Sequence, residues 1–555
     1  MTVMTGGEAL TELLHREGVK YVFGIPGATE ILFMEALKKH PDITYILGLN
    51  ELVVAGMAEG YARASGRPGF LNLHTGPGVA ASLAMLYNAH RGGVPLVITA
   101  GQQNTHLLLH DPHLSGDLVG MTRPFTKWNA ELQNVEDIPL VMQRAFKMAM
   151  QPPTGPVFVS IPQNLLEHTM DYNYVPNTIL YAQQRPDIKA IEKAVAILCD
   201  ANTPLIMVES GVSRNKAVPE VINLAELIGA RVYQPWMADV NFPVNHNLYL
   251  GDLDPSSVKA KEIFKKADTL IMIGCPLFSE ALYSPAPVLP RNTRIIQIDD
   301  NPWEMGKNIP VECGIQGNIK ESLTTLIEAL KAGMSTTSWK KIKGRTDEIK
   351  KEKAIINEAM KKQVQKVWHN VPISVPRLVR ELKESIKPGT IVVDDCWSSS
   401  EILRNYLGFS DPDGYYRARG GGSIGWGLPG ALGIKLARPE RPVIAISGDG
   451  SAAWSMQSFW TAAHYNIPVT FVITANTAYR QVKIMRKVIL GYGSLNEKCC
   501  GMDLDEPVID FCKLAQSMGV VSERVIHSDK LGQIIRNALA AETPRLIEVS
   551  VENPA

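Results

Sequence analysis

Short apolar runs alternate with helix-like segments along almost the whole chain. Helices are predicted, for example, over residues 7–17 and 51–65. Buried strands are predicted at residues 21–25, 69–73, 95–99, 157–161, 204–208, 269–273, 294–298, 390–393, 442–446, 469–473 and 545–549. Parallel strands need long crossover connections, and a helix is the usual one. The alternation therefore predicts an α/β protein built from doubly wound parallel sheets.

The chain is long enough for three or four domains of ordinary size. Its composition changes most between about residues 332 and 370, where the sequence becomes polar and rich in lysine. We interpret that stretch as a solvated linker with helical potential, and a nucleic-acid-binding patch is the alternative. The predicted domain organisation follows from this break: residues 1–180, residues 181–335, a linker at residues 336–370, and residues 371–555.

Charge and cysteine content limit the partners of the chain. Lysine plus arginine and aspartate plus glutamate both number 56, so the formal net charge is zero. This balance argues against nucleic acid or an anionic membrane as the main partner. The sequence starts without a basic and apolar leader, and no apolar run could span a bilayer. Seven scattered cysteines without a Cys-x-x-Cys pair suit a reducing compartment, so we expect a cytoplasmic protein.

One acidic residue lies between two glycines where a predicted strand ends, in the sequence ISGDGS at residues 446–451. A helix is predicted after it, at residues 455–465. Ligands of open α/β sheets bind at this edge, glycines let a backbone approach a ligand, and helix N-termini favour phosphate. Because the Asp449 carboxylate would repel phosphate, we predict a divalent cation between the two.

Asn476 strengthens this prediction, because it follows the next strand 27 positions after Asp449. A strand–helix–strand unit of about 30 residues brings two successive strand ends together. A carboxylate, an amide oxygen and a loop carbonyl, together with phosphate oxygens, form a good site for a hard cation such as Mg²⁺.

On these motifs the sequence resembles the thiamine-diphosphate-dependent decarboxylase and carboligase superfamily. The resemblance covers nearly the whole chain and includes GGEALTELLHREGVKYVFGIPG, ADTLIMIGCPLF and GDGSAAWSMQSFWTAAHYNIP. It is closest to benzoylformate decarboxylase, while HTGPG at residues 74–78 is similar to acetolactate synthase. It implies a pyrimidine-binding, a middle and a diphosphate-binding domain, with the cofactor between the first domain of one chain and the third of another. A homo-oligomer follows, at least a dimer, with a tetramer favoured.

The resemblance also implies roles for single residues. Asp449, Asn476 and the carbonyl of Ala478 would hold Mg²⁺ or Ca²⁺ against the diphosphate of thiamine diphosphate. Glu51 would contact the aminopyrimidine nitrogen N1′, and His74 would be a catalytic histidine. The residues assigned to cofactor binding are Glu51, Ser398, Ile424, Gly448, Asp449, Gly450, Ser451 and Asn476. Ile424 would be the apolar wedge that bends the cofactor. Without the family, Glu51 is a helix N-terminal acid, His74 a structural histidine and Ile424 a buried residue.

Five positions assigned to the substrate pocket raise doubt about benzoylformate itself: Ala28, Ala281, Trp397, Gln481 and Val482. Ala28 stands where the benzoylformate decarboxylase pattern has a serine, and Ala281 where it has a second histidine. Trp397 is large where a small polar residue is expected. These departures suggest a changed substrate, or an enamine that waits for an acceptor aldehyde.

Other polar residues could replace the missing groups. The loop histidines His106, His110 and His113 could approach the cofactor, with surface histidines as the alternative. Arg480, Lys483 and Arg486 could face an anionic substrate or form a solvated helix face.

The function predicted from these residues is non-oxidative decarboxylation of a benzoylformate-like 2-oxo acid to an aldehyde through an enamine. The alternative is a carboligase that forms acyloins or acetohydroxy acids, and a non-catalytic cofactor-binding paralogue is more remote. We expect no FAD in the middle domain, because Gly211-Val212-Ser213 is too weak a signal.

Overall fold

The computed structural model describes residues 2–173, 184–255, 257–276, 289–334 and 336–552. Three six-stranded sheets, each with all its strands parallel, confirm the predicted α/β class. Each sheet lies inside one of the predicted domain ranges, whose exact boundaries stay predictions. None of the helices described is both long and apolar enough to cross a membrane.

The first sheet has the strand order β3-β2-β4-β5-β7-β6, and a separate antiparallel pair joins β1 to β8. The strands are β1 (Thr2–Thr5), β2 (Tyr21–Gly24), β3 (Thr44–Leu47), β4 (Gly69–Leu73), β5 (Leu96–Gln102), β6 (Trp128–Glu131), β7 (Val157–Pro162) and β8 (Thr169–Tyr172). The helices are α1 (Gly6–Arg16), α2 (Ile31–Leu37), α3 (Glu51–Ser65), α4 (Thr75–Gly92), α5 (Leu118–Thr122), α6 (Ile138–Met150) and α7 (Gln163–Glu167). Glu51 thus begins α3, and His74 lies between β4 and α4.

The middle sheet has the order β11-β10-β9-β12-β13-β14, so the direction of winding reverses between β9 and β12. The strands are β9 (Pro204–Val208), β10 (Arg231–Gln234), β11 (Tyr249–Asp252), β12 (Thr269–Ile273), β13 (Arg294–Asp299) and β14 (Cys313–Gln316). The helices are α8 (Ile188–Asp200), α9 (Ser210–Arg214), α10 (Val218–Ile228), α11 (Val258–Phe264) and α12 (Ile319–Gly333).

The lysine-rich segment forms one long helix, α13 (Thr336–Lys366). Ile342 and Ile349 are buried, and they share one helix face because they lie two turns apart. The guanidinium of Arg345 donates to the carbonyl oxygens of Ala201 and Ile228 in the middle domain. The expectation of a solvated linker is therefore wrong for this face, which is attached to the middle domain.

The third sheet has the order β16-β15-β17-β18-β20-β19. The strands are β15 (Ile391–Asp395), β16 (Tyr415–Arg417), β17 (Val443–Gly448), β18 (Val469–Ala475), β19 (Val521–Val525) and β20 (Arg545–Ser550). The helices are α14 (Val375–Ser385), α15 (Ser400–Leu407), α16 (Gly427–Ala437), α17 (Asp449–Ser455), α18 (Ser458–His464), α19 (Arg480–Leu490), α20 (Phe511–Ser517) and α21 (Leu531–Leu539). The single helix predicted at residues 455–465 is replaced by α17 and α18, and the first of these begins at Asp449 itself.

The first and third sheets have the same topology. Counted from the first strand of each six-stranded sheet, both follow the order 2-1-3-4-6-5, whereas the middle sheet follows 3-2-1-4-5-6. Helices α3 and α16 occupy the same place in the two domains, because each connects the second strand to the third. His74 and Asp449 are also equivalent, since each follows the third strand of its sheet.

These equivalent helices, α3 and α16, pack directly against each other through small residues. A Cβ added to Gly60 would lie 2.2 Å from the carbonyl oxygen of Gly430, and one added to Gly433 would lie 2.0 Å from that of Met57. Because no side chain separates them at these points, the helix backbones approach more closely than ordinary packing allows. The first and third domains are therefore joined at one fixed relative position.

A buried carboxylate joins all three domains near this contact. Asp239, in the middle domain, accepts from Arg63 Nη2 of α3 at 2.7 Å and from Arg419 Nε of the third domain at 2.6 Å. Glu59 lies one turn before Arg63 and is completely buried, with its Oε1 3.6 Å from Arg63 Nη1. Burial raises the pKa of Glu59 to about 7.

The Glu59→Gln substitution should change how stability depends on pH. The folded-state pKa of Glu59 lies above the value of about 4.3 for an unfolded glutamate, so its contribution to stability is lost as pH rises from about 4 to 7. Glutamine does not titrate. Between pH 5 and pH 8 we expect the free energy of unfolding of the variant to rise by roughly 1–3 kcal/mol relative to that of the wild type. Urea unfolding midpoints measured across this range check the prediction, and parallel pH profiles would contradict it.

Candidate active site

The structure brings together the two residues that the strand spacing predicts as neighbours. Strands β17 and β18 are paired in parallel, so Asp449 and Asn476 follow adjacent strand ends. Asp449 Oδ2 accepts from the backbone N–H groups of Asn476 at 3.0 Å and Thr477 at 2.6 Å, and Oδ1 accepts from that of Gly450 at 2.8 Å. The predicted juxtaposition of the carboxylate and the asparagine loop is present.

The oxygens at this point suit a hard cation. Asp449 is 5% exposed, and burial raises the pKa of its carboxyl to about 6 although three amides favour the charged form. Asn476 Oδ1 accepts from the backbone N–H of Ala478 at 3.0 Å, which places the amide beside that residue. Thr477 between them has a φ of 54° and turns the chain. A bound cation would offset the cost of burying this carboxylate.

The two glycines beside Asp449 have different neighbours. A Cβ added to Gly448 would meet no atom within 4 Å, so space is open beside it. A Cβ added to Gly450 would lie 2.6 Å from the Tyr479 ring. Gly448 leaves room for a ligand, whereas Gly450 is required by the close approach of Tyr479. The cofactor roles predicted for Gly448 and Gly450 stay predictions.

Two other groups of described residues place possible metal ligands within 4.8 Å of one another: His15, His40 and Asp42, and Asp510, Cys512 and Glu548. In the second group Arg524 pairs with both carboxylates and Lys513 also pairs with Asp510, so two cationic side chains already balance the two negative charges. In the first group His15 pairs with Asp42 on an exposed surface. Neither group lies at the ends of β17 and β18.

Glu51 is held at the first position of α3. The side chain of the preceding residue, Asn50, accepts from the backbone N–H of Leu52 at 2.8 Å and caps the helix. A Cβ added to Gly78 of α4 would lie 3.1 Å from Glu51 Oε1, so the half-buried carboxyl packs against the glycine-rich start of α4. This contact places Glu51 close to the turn that carries His74.

The orientation of His74 is set by a buried acid. Its Nδ1 lies 2.9 Å from Glu30 Oε2 and 3.2 Å from Thr29 Oγ1. A Cβ added to Gly27 would lie 2.0 Å from this nitrogen, so the ring fits only against glycine. Because Nδ1 is engaged, Nε2 is the nitrogen that could exchange a proton with a ligand.

Glu30 is a site residue that the sequence reasoning missed. It is 2% exposed, and besides His74 it accepts from the backbone N–H groups of Gly27 at 2.9 Å and Gly101 at 3.0 Å, and from Thr29 Oγ1 at 2.8 Å. The available signal is its position just after the turn that ends β2, at the same sheet edge as His74. Four donors on one buried carboxylate make it the organising group of this edge.

The predicted substrate residues are in varied environments. Ala28 is exposed at the start of the short turn that leads to Glu30, and Val482 is exposed on α19. Gln481 is half-buried, and Trp397 is half-buried with its Nε1 donating to Asp395 Oδ1 at 3.1 Å. Ala281 lies outside the described residues.

The remaining predicted residues differ in their burial. Ser451 is buried in α17, and Ser398 is half-buried after β15, so their cofactor roles stay predictions. Ile424 is half-buried in the loop before α16. The three loop histidines are all exposed: His106, His110 and His113.

Three family models match the chain in order. The N-terminal TPP binding domain of thiamine pyrophosphate enzymes matches residues 4–121, the central domain residues 191–326, and the C-terminal TPP binding domain residues 398–549. Together with the fold and the paired strand ends, these matches show that the chain belongs to the thiamine pyrophosphate (thiamine diphosphate) enzyme family.

Relatives within the family are similar over the full length. The benzoylformate decarboxylase of Pseudomonas aeruginosa is 29% identical over 550 residues, covering 98% of both chains. A probable acetolactate synthase large subunit of Methanococcus aeolicus is 29% identical over 562 residues, covering 99% of this chain and 92% of that protein. The thiamine diphosphate-dependent 4-hydroxybenzoylformate decarboxylase of Rhodococcus jostii RHA1 superposes with a TM-score of 0.85 at 26% identity, covering 99% of this chain and all of that one.

The Glu30→Gln substitution should disturb this edge of the sheet. An amide group would bring N–H donors to face the donors that now surround the carboxylate. We expect a loss of about 1–3 kcal/mol in stability and a fall in turnover of about tenfold or more as His74 loses its orientation. Glu35→Gln, at an exposed glutamate of α2 paired with Lys38, is the matched control. Thermal unfolding and steady-state kinetics measure both effects, and equal behaviour of the two variants would contradict the assignment.

Proposed function

We propose that this protein is a thiamine-diphosphate-dependent enzyme that decarboxylates a 2-oxo acid to an aldehyde. The observation that carries the proposal is His74, whose Nδ1 is held by buried Glu30 beside the Glu51 helix terminus. Proton transfer on two sides of one cofactor needs two separate groups that exchange protons. The oriented imidazole of His74 and the carboxyl of Glu51 are two such groups. The similarity to decarboxylases over the whole chain supports it.

The cofactor would be held at both of its ends. Asp449, Asn476 and the carbonyl oxygen of Ala478 would bind Mg²⁺ or Ca²⁺, which would neutralise the diphosphate. The open space beside Gly448 would receive it. Glu51 in the first domain of a second copy of the chain would face the aminopyrimidine. When bound, the thiazolium ring would supply the sink for the electron pair that remains when CO₂ departs.

The chain's own groups would handle the protons. The half-buried Glu51 carboxyl would share a proton with the ring nitrogen N1′. His74 Nε2 would deliver a proton to the substrate carbon or assist release of the aldehyde, while Glu30 keeps Nδ1 hydrogen-bonded and so fixes the tautomer.

Carboligation is the second candidate, and Ala28 favours it. This residue adjoins Thr29 and Glu30, yet it has no hydroxyl to bind a substrate carboxylate. If a second 2-oxo acid or the proton source is bound more weakly, protonation becomes slower. An acceptor aldehyde then has time to react in place of the proton. The similarity to acetolactate synthases supports this alternative.

We also propose a homo-oligomer, at least a dimer and with a tetramer favoured. Three large apolar side chains close in sequence to site residues are about half exposed: Leu49 before Glu51, Trp454 after Asp449, and Val482 after Ala478. A second copy of the chain would cover them. Light scattering after size exclusion measures the mass, and a monomer at micromolar concentration would contradict the proposal.

The reaction can be tested directly on the purified chain. With thiamine diphosphate and Mg²⁺ present, benzoylformate is offered with and without acetaldehyde, and the products are followed by mass spectrometry. We expect benzaldehyde without an acceptor. Acyloin alone would identify a carboligase, and no product in either reaction would point to a non-aromatic 2-oxo acid.

Glu51→Gln tests the site assignment. We expect a loss of turnover of about 100-fold or more, because glutamine cannot share the proton. The unfolding temperature should change little, since Asn50 still caps α3. Persisting turnover would remove Glu51 from the mechanism.

A further inference from the structure

The loop between β16 and α16 is bound by side chains from all three domains. This loop, residues 418–426, is called the wedge loop below, and it carries Ile424. At its start Arg419 pairs with Asp239 of the middle domain. Side chains of the first and third domains bind its backbone further along.

The first-domain contact is made by Asn88 of α4. Its Nδ2 donates to the carbonyl oxygen of Ser423 at 3.0 Å, and its Oδ1 accepts from the N–H of the same residue at 3.0 Å. Both polar groups of the side-chain amide therefore form hydrogen bonds with the backbone of one residue, Ser423, in the third domain. Asn88 is 0% exposed, and a Cβ added to Gly421 would lie 2.2 Å from its Oδ1. The amide fills a gap that the loop glycine leaves for it.

The third-domain contact is made by Asp395, at the end of β15. Its Oδ2 accepts from the N–H groups of Gly425 at 3.0 Å and Gly427 at 3.1 Å. Ile424 is therefore bracketed, because Asn88 holds the residue before it and Asp395 holds the residue after it.

The wedge loop needs such contacts. Gly422 and Gly425 have φ values of 82° and 85°, a conformation open to glycine, whose backbone is also the most flexible. Asn88 lies on the same helix, α4, whose start carries His74. The wedge loop is therefore fastened to a long, rigid helix of the first domain of its own chain.

We propose that Asn88 is a positioning residue that fixes the Ile424 backbone against α4 and so sets the conformation of the bound cofactor. The inference rests on the proposed function, in which Ile424 contacts the cofactor. Asn88 acts only through the Ser423 backbone.

The first test uses the protein without cofactor. Asn88→Ala removes both hydrogen bonds, and Asn88→Asp keeps an acceptor for the Ser423 N–H but removes the donor to its carbonyl oxygen. Tyr465→Phe is the control: the Tyr465 hydroxyl donates to the Tyr45 carbonyl oxygen at 3.0 Å and accepts from the Leu47 N–H at 2.8 Å, joining the same two domains away from the loop.

Hydrogen–deuterium exchange of the peptide spanning residues 419–427 reports on the loop itself. We expect exchange about tenfold faster in Asn88→Ala, an intermediate value in Asn88→Asp, and the wild-type rate in Tyr465→Phe. Unchanged exchange in Asn88→Ala, or equal acceleration in Tyr465→Phe, would overturn the proposal. If Asn88→Ala fails to fold, Asn88→Asp decides the question.

The second test uses the enzyme loaded with thiamine diphosphate and Mg²⁺. We expect kcat to fall about 10- to 100-fold in Asn88→Ala with KM for the 2-oxo acid little changed, because the loss is one of cofactor geometry. Faster exchange with unchanged kcat would overturn the positioning role. If the wild type decarboxylates no 2-oxo acid, the proposed function fails separately. Cofactor affinity then decides, with weaker binding by Asn88→Ala supporting the inference and equal binding overturning it.

Discussion

The contact between α3 and α16 is the constraint on which the site depends. At Gly60 and Gly433 the two helices meet backbone to backbone, so their relative position cannot be adjusted by side-chain rotation. One of these helices begins with Glu51, and the other follows directly after the wedge loop. The first and third domains of one chain are thereby fixed relative to each other before any ligand binds, which lowers the entropy cost when two chains form a site between them.

Buried charges define this junction further. Isolated buried charges are costly, and a pair often stabilises a fold no more than apolar residues would. Here one carboxylate, Asp239, is shared by Arg63 and Arg419 from two other domains, so a wrong domain arrangement would leave three charges without partners. The junction therefore selects one arrangement of the domains.

Local patterns predicted much of this molecule, and distant partners account for what they missed. The bounds of α3 and the closeness of Asp449 to Asn476 follow from periodicity and from the length of a strand–helix–strand unit. Glu30 and Asn88 were missed because each binds a residue far along the chain, Gly101 or Ser423, through a backbone group that leaves no residue-type signal. The helix α13 was read as solvated because its few apolar residues are diluted by lysines, although two of them suffice to attach one face.

The shared topology of the first and third domains has a consequence for how chemistry is divided within the chain. Both domains present a turn after their third strand, and duplication would have made these turns alike. One turn carries His74 and the other carries Asp449. The first domain therefore has an imidazole at the position where the third domain has a carboxylate that suits a cation. In the proposed function these two equivalent positions serve separate tasks. A change of substrate at the histidine turn would then leave the proposed cofactor anchor at Asp449 as it is.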